Sequence, residues 1–187
     1  MRHKIGNLIS VAFSLAKLTL MKVFFWRRLE FFIIERLSPN VVIDIRGKSY
    51  LKFGKKVRAH SGTRFTVASG GKLTIGDNVR INNNCRFACR YNIEIGEGAE
   101  FGPGVLVYDH DHDFRAEGGL KDNKFTTDSV KIGKNVWVGA NAIILKGTTI
   151  GDNSVVAAGS VLKGNFPANT LIYQKKETSY KNINVED

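Results

Sequence analysis

The sequence is poor in the residues that stabilise small secreted and metal-bound domains. Only 2 of its 187 residues are cysteines and only 3 are prolines. Two cysteines, Cys85 and Cys89, are too few for a disulfide framework or a structural zinc site. We expect both to pack as small buried residues. A single core of ordinary size is the expectation for a chain of this length.

The sequence also lacks an apolar run long enough to cross a membrane. The uncharged stretch Ile5–Ala16 has 12 residues, and Lys17 and Lys22 interrupt the apolar residues after it, whereas a spanning helix needs about 20. We predict one or two helices within residues 1–40, with a broad apolar face and basic flanks. They either lie on a membrane surface or pack against the rest of the protein. A signal peptide is the alternative for this segment.

Acidic residues are scarce in the first third of the chain. Residues 1–66 hold 14 Lys and Arg but 3 Asp and Glu, whereas residues 67–187 hold 14 of each, so the net charge of +11 lies entirely in the first part. Such a segment favours anionic lipid, nucleic acid or an anionic polymer, and a solvated basic face is the alternative. Because no nucleic-acid-binding motif accompanies it, we predict peripheral contact with a membrane surface and no nucleic acid.

What the sequence does contain is a repeat. The segments "KLTIGDNV", "NIEIGEGA", "VKIGKNVWVGANAI" and "TTIGDNSVVAAGSV" each place an apolar residue before a glycine. Large apolar residues recur every six positions within three runs. These are Ile75, Ile81 and Phe87; Ile95, Phe101 and Val107; and Ile132, Val138, Ile144, Ile150, Val156 and Leu162. A period of six fits neither an α-helix nor simple strand alternation. Three such units make one turn with three flat faces, and stacked turns bury the apolar residues.

We therefore predict a mainly β fold, a triangular parallel β-helix over residues 41–173, followed by a tail, 174–187. Glycine after the apolar residue suits tight corners, and Asn78, Asn135 and Asn153 tolerate the left-handed conformation that corners need. A β-sandwich with glycine-rich turns is the alternative, but its strands would recur every 8–12 residues.

A polar loop interrupts the repeat. Between Tyr108 and Ser129, Leu120 is the only large aliphatic residue, so we predict an extruded loop over 108–129. His110 and His112 lie at its base. A histidine can take the proton of an attacking hydroxyl or amine near neutral pH. The neighbouring carboxylates of Asp109, Asp111 and Asp113 are candidates to orient it, and a solvated loop or an adventitious metal site is the alternative.

These segments resemble the hexapeptide-repeat acyltransferases over residues 41–170, and "VLVYDHDHDF" is similar to the catalytic segment of the sugar O-acetyltransferases of capsule and colanic-acid type. The resemblance implies a left-handed parallel β-helix, acetyl-CoA as co-substrate, no metal, and a homotrimer with each active site between adjacent subunits. It favours His112 as the general base, with His110 as the flanking histidine, and leaves the choice between them open.

The resemblance also implies a site for the acceptor. "NNNC", which begins at Asn82, is similar to an "NxNC" element whose asparagine reaches the acceptor. Asn82 and Asn84 are therefore candidate acceptor contacts, together with Tyr108 and Asp109, although an asparagine ladder at a β-helix corner explains the two asparagines as well. An acceptor-binding carboxylate of the family falls at Arg90 here, which argues against galactosides and maltose as acceptors.

A later run, "NVWVGANAIILKGTTIGDNSVVAAGSVL", resembles the acetyl-CoA-binding segment of the family. By that resemblance, small residues let pantetheine approach the backbone, and an amide of Gly139 or Ala140 supports the oxyanion. The implied cofactor-binding residues are Trp137, Gly139, Ala140, Ala157, Ala158 and Lys163. Lys175 and Lys176 are alternatives to Lys163 for the CoA phosphates.

We expect a cytoplasmic O-acetyltransferase, peripheral at the inner membrane face, that transfers acetyl directly to a sugar hydroxyl of a bacterial surface polysaccharide or its precursor. Three alternatives remain open. One is an N-acyltransferase acting on a nucleotide-linked amino sugar, and another is a non-catalytic scaffold. The third is a metal-dependent lyase of γ-carbonic anhydrase type, which needs three histidine ligands. Only His3 and His60 are present beyond the pair in the loop.

Overall fold

The computed structural model describes residues 2–175 and 177–181, with the side chains of residues 2–7 left out. One helix, α1 (Arg2–Phe24), precedes a coil of short parallel strands that forms three sheets. Successive strands of the chain pass from one sheet to the next, and each strand pairs with the equivalent strand one turn later. The predicted parallel β-solenoid is therefore confirmed.

The strands are grouped by sheet. Sheet A contains β1 (Leu29–Glu30), β4 (Tyr50–Phe53), β7 (Lys72–Ile75), β10 (Asn92–Ile95), β15 (Val130–Ile132), β18 (Thr149–Ile150) and β21 (Asn165–Phe166). Sheet B contains β2 (Arg36–Leu37), β5 (Arg58–Ala59), β8 (Arg80–Ile81), β11 (Glu100–Phe101), β16 (Trp137–Val138), β19 (Val155–Val156) and β22 (Leu171–Ile172). Sheet C contains β3 (Val42–Ile45), β6 (Arg64–Val67), β9 (Arg86–Cys89), β12 (Leu106–Tyr108), β17 (Ile143–Ile144) and β20 (Val161–Leu162).

The six-residue period positions the core. Every apolar residue of the predicted repeat from Ile75 to Leu162 is buried, because alternate residues of each strand point into the coil. Equivalent residues stack from turn to turn, as where Phe65 pairs with Phe87 and their rings lie 5.3 Å apart in a stacked arrangement. Such continuous stacking buries the apolar area that one turn alone could not.

The corners are built as predicted. Asn78, Asn135 and Asn153 have φ values of 58°, 52° and 56°, which is the left-handed region that asparagine tolerates. The glycines that follow the apolar residues meet a different requirement. A Cβ on Gly96 would lie 2.5 Å from the carbonyl carbon of Gly133 in the next turn, so close stacking of the corners excludes a side chain there.

The N-terminal segment contains one helix, which ends at Phe24 and agrees with the predicted one or two helices. It differs from the prediction in one respect, because strands begin before residue 41. Leu29 pairs with Leu51 and is fully buried, as is Leu18 of α1. The open end of the coil needs apolar cover, so burial of these side chains decides the structure of this segment. No helix in the described residues is long and apolar enough to cross a membrane.

The polar loop leaves the coil after β12, as predicted. It is not irregular throughout, because β13 (His110–His112) pairs antiparallel with β14 (Phe125–Thr127), and a short 3-10 helix covers Gly119–Asp122. The chain then re-enters sheet A at Val130. The hairpin holds both histidines beside the corner that joins sheets C and A, which we call the C/A corner.

Candidate active site

Asp109 anchors the C/A corner. Its side chain is fully buried, although the residue opens a polar loop. Its carboxylate accepts hydrogen bonds from the backbone amides of Arg90 and Tyr91, each with a shortest N···O distance of 2.8 Å. These amides belong to the same corner of the preceding turn, so Asp109 ties the loop to the coil.

The same carboxylate binds His110. Its Oδ1 atom lies 2.9 Å from Nδ1 of His110. Burial alone would raise the pKa of Asp109, but hydrogen bonds from His110, from the amides of Arg90 and Tyr91 and from Cys89 outweigh it, so the pKa lies below its usual value. Asp109 is therefore a fixed negative charge at neutral pH, and it stabilises a proton on Nδ1 of His110.

His110 is oriented for proton transfer. Its side chain is 16% exposed. The rings of Tyr108 and Phe125 lie edge-on to the imidazole, with centroid distances of 6.3 Å and 5.6 Å. With Nδ1 occupied by Asp109, Nε2 is the nitrogen left to accept a proton from a bound molecule. Packing and the hydrogen bond together limit rotation of the ring, which is what a general base needs.

His112, in contrast, has no carboxylate within hydrogen-bond distance among the described residues. It is exposed, and its ring lies 4.4 Å from that of Phe125. Within residues 2–175 and 177–181, its side chain makes no hydrogen bond. It lines a shallow cavity of about 290 Å³ together with Asp111, Lys146 and Lys163. The structure therefore gives the two histidines different environments, which their spacing in the sequence does not indicate.

Phe125 and Lys146, which the sequence analysis did not select, hold the hairpin in place. The guanidinium of Arg90 lies 3.3 Å from the centroid of the Phe125 ring, and Lys146 contacts Thr126 and forms an ion pair of 3.2 Å with Asp111. No motif marks either residue. Arg90 lies in the turn of the coil before the loop and Lys146 in a turn after it, so only the fold brings these side chains to the hairpin.

The predicted acceptor residues separate into two groups. Tyr108 and Asp109 lie at the C/A corner with the histidines. Asn82 is exposed and lines a cavity of about 210 Å³ with Trp137, Gly102 and His60, next to the corner that joins sheets B and C, which we call the B/C corner. Asn84 has a φ of 59°, so the corner geometry accounts for it as an asparagine.

The predicted cofactor residues Gly139, Ala140, Ala157 and Ala158 also lie at the B/C corner, on successive turns. A Cβ on Gly139 would lie 2.6 Å from the amide nitrogen of Ala158. Within the described chain, the amides of Ala140 and Ala158 donate no hydrogen bond. Free amides beside small side chains can bind the amide and carbonyl groups of an extended ligand.

Lys163 does not join this group. It lies at the C/A corner, in the cavity that contains His112. Lys175 is exposed in the segment after β22, and Lys176 lies outside the described residues. The side chain of His3 is likewise outside the described part of the chain.

The two groups occupy different corners of the coil. The B/C corner and the C/A corner are separated by the width of sheet C, which is roughly 15 Å at about 3.3 Å per residue. A single chain therefore does not bring His110 together with Asn82, Trp137 or the free amides.

Neither cysteine is suited to act as a nucleophile. Both Cys85 and Cys89 are free and buried. Burial raises the pKa of each thiol, and the charge of Asp109 raises that of Cys89 further, so neither forms a reactive thiolate near neutral pH. In the described residues, no group of three or more His, Cys, Asp or Glu is placed to hold a metal ion.

Comparisons with known proteins agree with this fold. The family model for bacterial transferase hexapeptide (six repeats) matches residues 129–164. The chain is 31% identical over 136 residues to a lipopolysaccharide biosynthesis O-acetyl transferase of Escherichia coli K12, covering 68% of this chain and 69% of that protein. It is 33% identical over 102 residues to galactoside O-acetyltransferase of the same organism, of which it spans 50%.

Solved structures give the same picture. A hexapeptide-repeat acetyltransferase from Vibrio cholerae, complexed with acetyl-coenzyme A, has a TM-score of 0.55 at 30% identity and covers 63% of this chain and 62% of its own. An N-acyltransferase from Bacillus cereus, in complex with coenzyme A and an amino sugar nucleotide, has a TM-score of 0.64 and covers 88% of each chain. At 20% identity, the second is similar in fold alone.

Proposed function

Because the chain belongs to the hexapeptide-repeat family of bacterial transferases, we propose that it is an acetyl-CoA-dependent O-acetyltransferase. Its acceptor is a sugar hydroxyl of a bacterial surface polysaccharide or of a precursor. The relative from Escherichia coli with a role in lipopolysaccharide biosynthesis supports this class of acceptor. The observation that carries the proposal is the oriented pair of His110 and Asp109 at the base of the extruded loop.

In the proposed reaction, the acceptor hydroxyl attacks the thioester carbonyl carbon directly. Nε2 of His110 removes the hydroxyl proton as the new C–O bond forms, and the carbonyl oxygen becomes an oxyanion. The C–S bond then breaks, and the imidazolium returns its proton to the leaving thiolate of CoA. Asp109 stabilises the transient positive charge on His110. The buried, protonated cysteines give no support for a covalent acyl-enzyme.

The acetyl-CoA groove lies at the B/C corner in this proposal. The free amides of Ala140 and Ala158 would bind pantetheine, and the exposed ring of Trp137 would form one wall. When bound, acetyl-CoA supplies the thioester. An amide of Gly139 or Ala140 would contact the oxyanion. Lys163 keeps a role toward the CoA phosphates only if these reach the C/A corner of another subunit.

Such a site needs a second copy of the chain. The base and the groove lie at different corners of one coil, separated by sheet C, so neither corner is complete alone. A cyclic homotrimer would place the C/A corner of one subunit against the B/C corner of its neighbour, and three equivalent sites would close the ring. His110 would then act on a sugar held beside Asn82 of the adjacent subunit.

We also propose that the enzyme is cytoplasmic and docks on the inner membrane face. Over residues 8–24, the part of α1 whose side chains the structure describes, the exposed side carries one hydroxyl and no charge. Its residues are Leu8, Ile9, Ala12, Phe13, Ala16, Thr19, Leu20, Val23 and Phe24. Lys17 and Lys22 instead point toward the coil, where they donate to the carbonyls of Val41 and Leu29. This arrangement reverses the usual polarity of a surface helix.

The charge around α1 indicates what covers this face. Arg27 follows α1 closely in the chain and is exposed, Trp26 is 70% exposed, and residues 1–66 carry the whole net charge of +11. Apolar and aromatic side chains with a basic surround match the interface of an anionic lipid bilayer. A second copy of the same basic surface would be repelled.

The transferase proposal is tested by release of CoA thiol from acetyl-CoA with pairs of acceptors that differ only in a hydroxyl or an amino group at one position. We expect turnover with the hydroxyl member and an ester in the product by mass spectrometry. Turnover with the amino member alone would replace the proposal by an N-acyltransferase. CoA binding that is undetectable by calorimetry would leave the scaffold hypothesis.

A further inference from the structure

Three arginines lie in register on the outer face of sheet B. Arg36 of β2 pairs with Arg58 of β5, and Arg58 pairs with Arg80 of β8. Their strand neighbours, Leu37, Ala59 and Ile81, are buried in the core. Because strands alternate, each arginine points outward at the same position of successive turns. We call these three residues the arginine column.

The arginine column is only partly neutralised within the described chain. Neighbouring strands lie about 4.8 Å apart, and like charges directly opposite one another are destabilising. Arg80 forms an ion pair with Glu100 at 2.8 Å. Arg36 and Arg58 have no carboxylate within ion-pair distance in residues 2–175 and 177–181. Burial, with the charges of Arg36 and Arg80, lowers the pKa of Arg58. A bound anion would relieve this repulsion.

The arginine column also borders two neighbouring cavities that share His60. A cavity of about 120 Å³ is lined by Ser10, Arg36, Ser38, Arg58 and His60. His60 also lines the adjacent cavity of about 210 Å³, which contains Arg80, Asn82 and Trp137. The two cavities, which we together call the groove, include Ser10 of α1 at one end and Asn82, the residue proposed to contact the acceptor sugar, at the other.

We propose that the arginine column binds the diphosphate of the acceptor, which is then a sugar linked to a diphosphate ester. The inference rests on the proposed function, because Asn82 fixes the sugar end of the groove. Guanidinium groups bind phosphate oxygens in bidentate fashion, and successive arginines match successive phosphates. The diphosphate of CoA is a poorer occupant, since Ala140 and Ala158 lie on later turns of the coil, away from Arg36 and Arg58.

Binding of inorganic pyrophosphate, measured by calorimetry on the full chain, tests the arginine column directly. Arg58→Gln should weaken binding at least tenfold. Arg64→Gln is the matched control, because Arg64 begins β6 in the same turn but faces outward from sheet C. The affinity of the Arg64→Gln protein for pyrophosphate should stay within twofold of wild type. Equal binding by Arg58→Gln and wild type, or equal loss in both variants, would overturn the proposal.

Acceptor kinetics separate this inference from the transferase proposal and identify the source of the diphosphate. A uridine diphosphate sugar, a polyprenyl diphosphate sugar and the free sugar are compared as acceptors. Arg58→Gln should raise KM at least tenfold for one of the diphosphate acceptors and leave KM for acetyl-CoA unchanged. If the free sugar is turned over as efficiently as both diphosphate acceptors, the proposed role of the arginine column is wrong and the transferase proposal stands. Arg58-dependent pyrophosphate binding without any CoA release would overturn the transferase proposal alone.

Discussion

Nδ1 of His110 lies 2.9 Å from Oδ1 of Asp109, its immediate neighbour in the chain, and that carboxylate is fully buried. The Asp109 carboxylate also accepts hydrogen bonds from the backbone amides of Arg90, at Oδ1, and Tyr91, at Oδ2. One carboxylate thus stabilises the corner of the coil and orients the proposed base, so its loss should affect folding and catalysis together.

Replacing Asp109 with Asn should lower kcat at least tenfold and the free energy of unfolding by about 1–3 kcal/mol, because an uncharged amide satisfies fewer of the buried donors. The lowered pKa of Asp109 stabilises the protein above its unfolded value near pH 4, and this stabilisation is lost as the pH falls through the folded value.

Urea midpoints for the Asp109→Asn protein should therefore vary less than those of wild type between pH 5 and pH 3. Asp111→Asn is the control, since the Asp111 carboxylate is 56% exposed and forms its ion pair with Lys146. Equal effects of the two substitutions on unfolding would contradict the anchoring role of Asp109.

Mixed trimers should restore activity from two inactive parents. His110→Ala removes the base, and Asn82→Ala removes the proposed acceptor contact at the other corner. In an equal mixture refolded together, about a quarter of the sites would combine an intact His110 with an intact Asn82 from the neighbour. CoA release by the mixture should exceed that of either parent severalfold. If both residues act within one subunit, mixing would give no gain.

Glu35 makes stability depend on pH from a position remote from the site. It is buried, Oε2 accepts the amide of Val57 at 2.7 Å, and Oε1 has no partner in the described chain. Burial raises the pKa of Glu35 to about 7. A raised pKa stabilises the folded state below the unfolded value near 4.5, and that stabilisation disappears as the pH rises through about 7.

Glu35→Gln should therefore be the more stable protein at pH 8, by about 3 kcal/mol at most, and nearly equal to wild type at pH 4.5. Denaturant midpoints at both pH values measure the difference, and Glu97→Gln, at an exposed corner, serves as the control. A wild-type midpoint that rises relative to Glu35→Gln on going to pH 8 would show that the carboxylate has a partner there.

Sedimentation with vesicles tests the membrane proposal. Wild type should bind vesicles that contain anionic phosphatidylglycerol, bind neutral phosphatidylcholine far less, and dissociate as salt increases. Leu20→Gln with Phe24→Gln should weaken binding at least tenfold, because both side chains are well exposed at 65% and 74%. Gln is a good helix former, so α1 should persist.

Leu171→Gln with Tyr173→Gln is the matched control at the other end of the coil, where the exposures are 62% and 59%. It should bind vesicles as wild type does. If the α1 variant instead reduces the size of the lipid-free oligomer, a second copy of the chain covers this face and the membrane proposal is wrong.

Much of the fold could be predicted because the short sequence patterns that specify its strands and corners recur along the chain. The buried residues from Ile75 to Leu162 follow from a period of six, and Asn78 from the conformation that a corner requires. The first turn was not predicted because no glycine follows Leu29 or Leu37 to mark the repeat. Their burial depends on stacking against later turns, which propensity does not report.

The site was less predictable. The resemblance to the sugar O-acetyltransferases favoured His112, whereas the contact that distinguishes the histidines involves Asp109 and amides 18 and 19 residues away. Residues of one functional group also separated onto two corners, which only the path of the coil reveals. The arginine column did leave a signal, since its members recur every 22 residues, the same interval that separates Phe53 from Ile75.

The most direct test of the account compares His110→Ala, His112→Ala and wild type for CoA thiol release from acetyl-CoA with a panel of sugars, nucleotide sugars and polysaccharide extracts. We predict that His110→Ala lowers kcat by about 10²–10⁴-fold, as expected for removal of a general base. His112→Ala should lower kcat by less than tenfold. Both should bind CoA as wild type does. A large loss in His112→Ala with an active His110→Ala protein would contradict the assignment of the base.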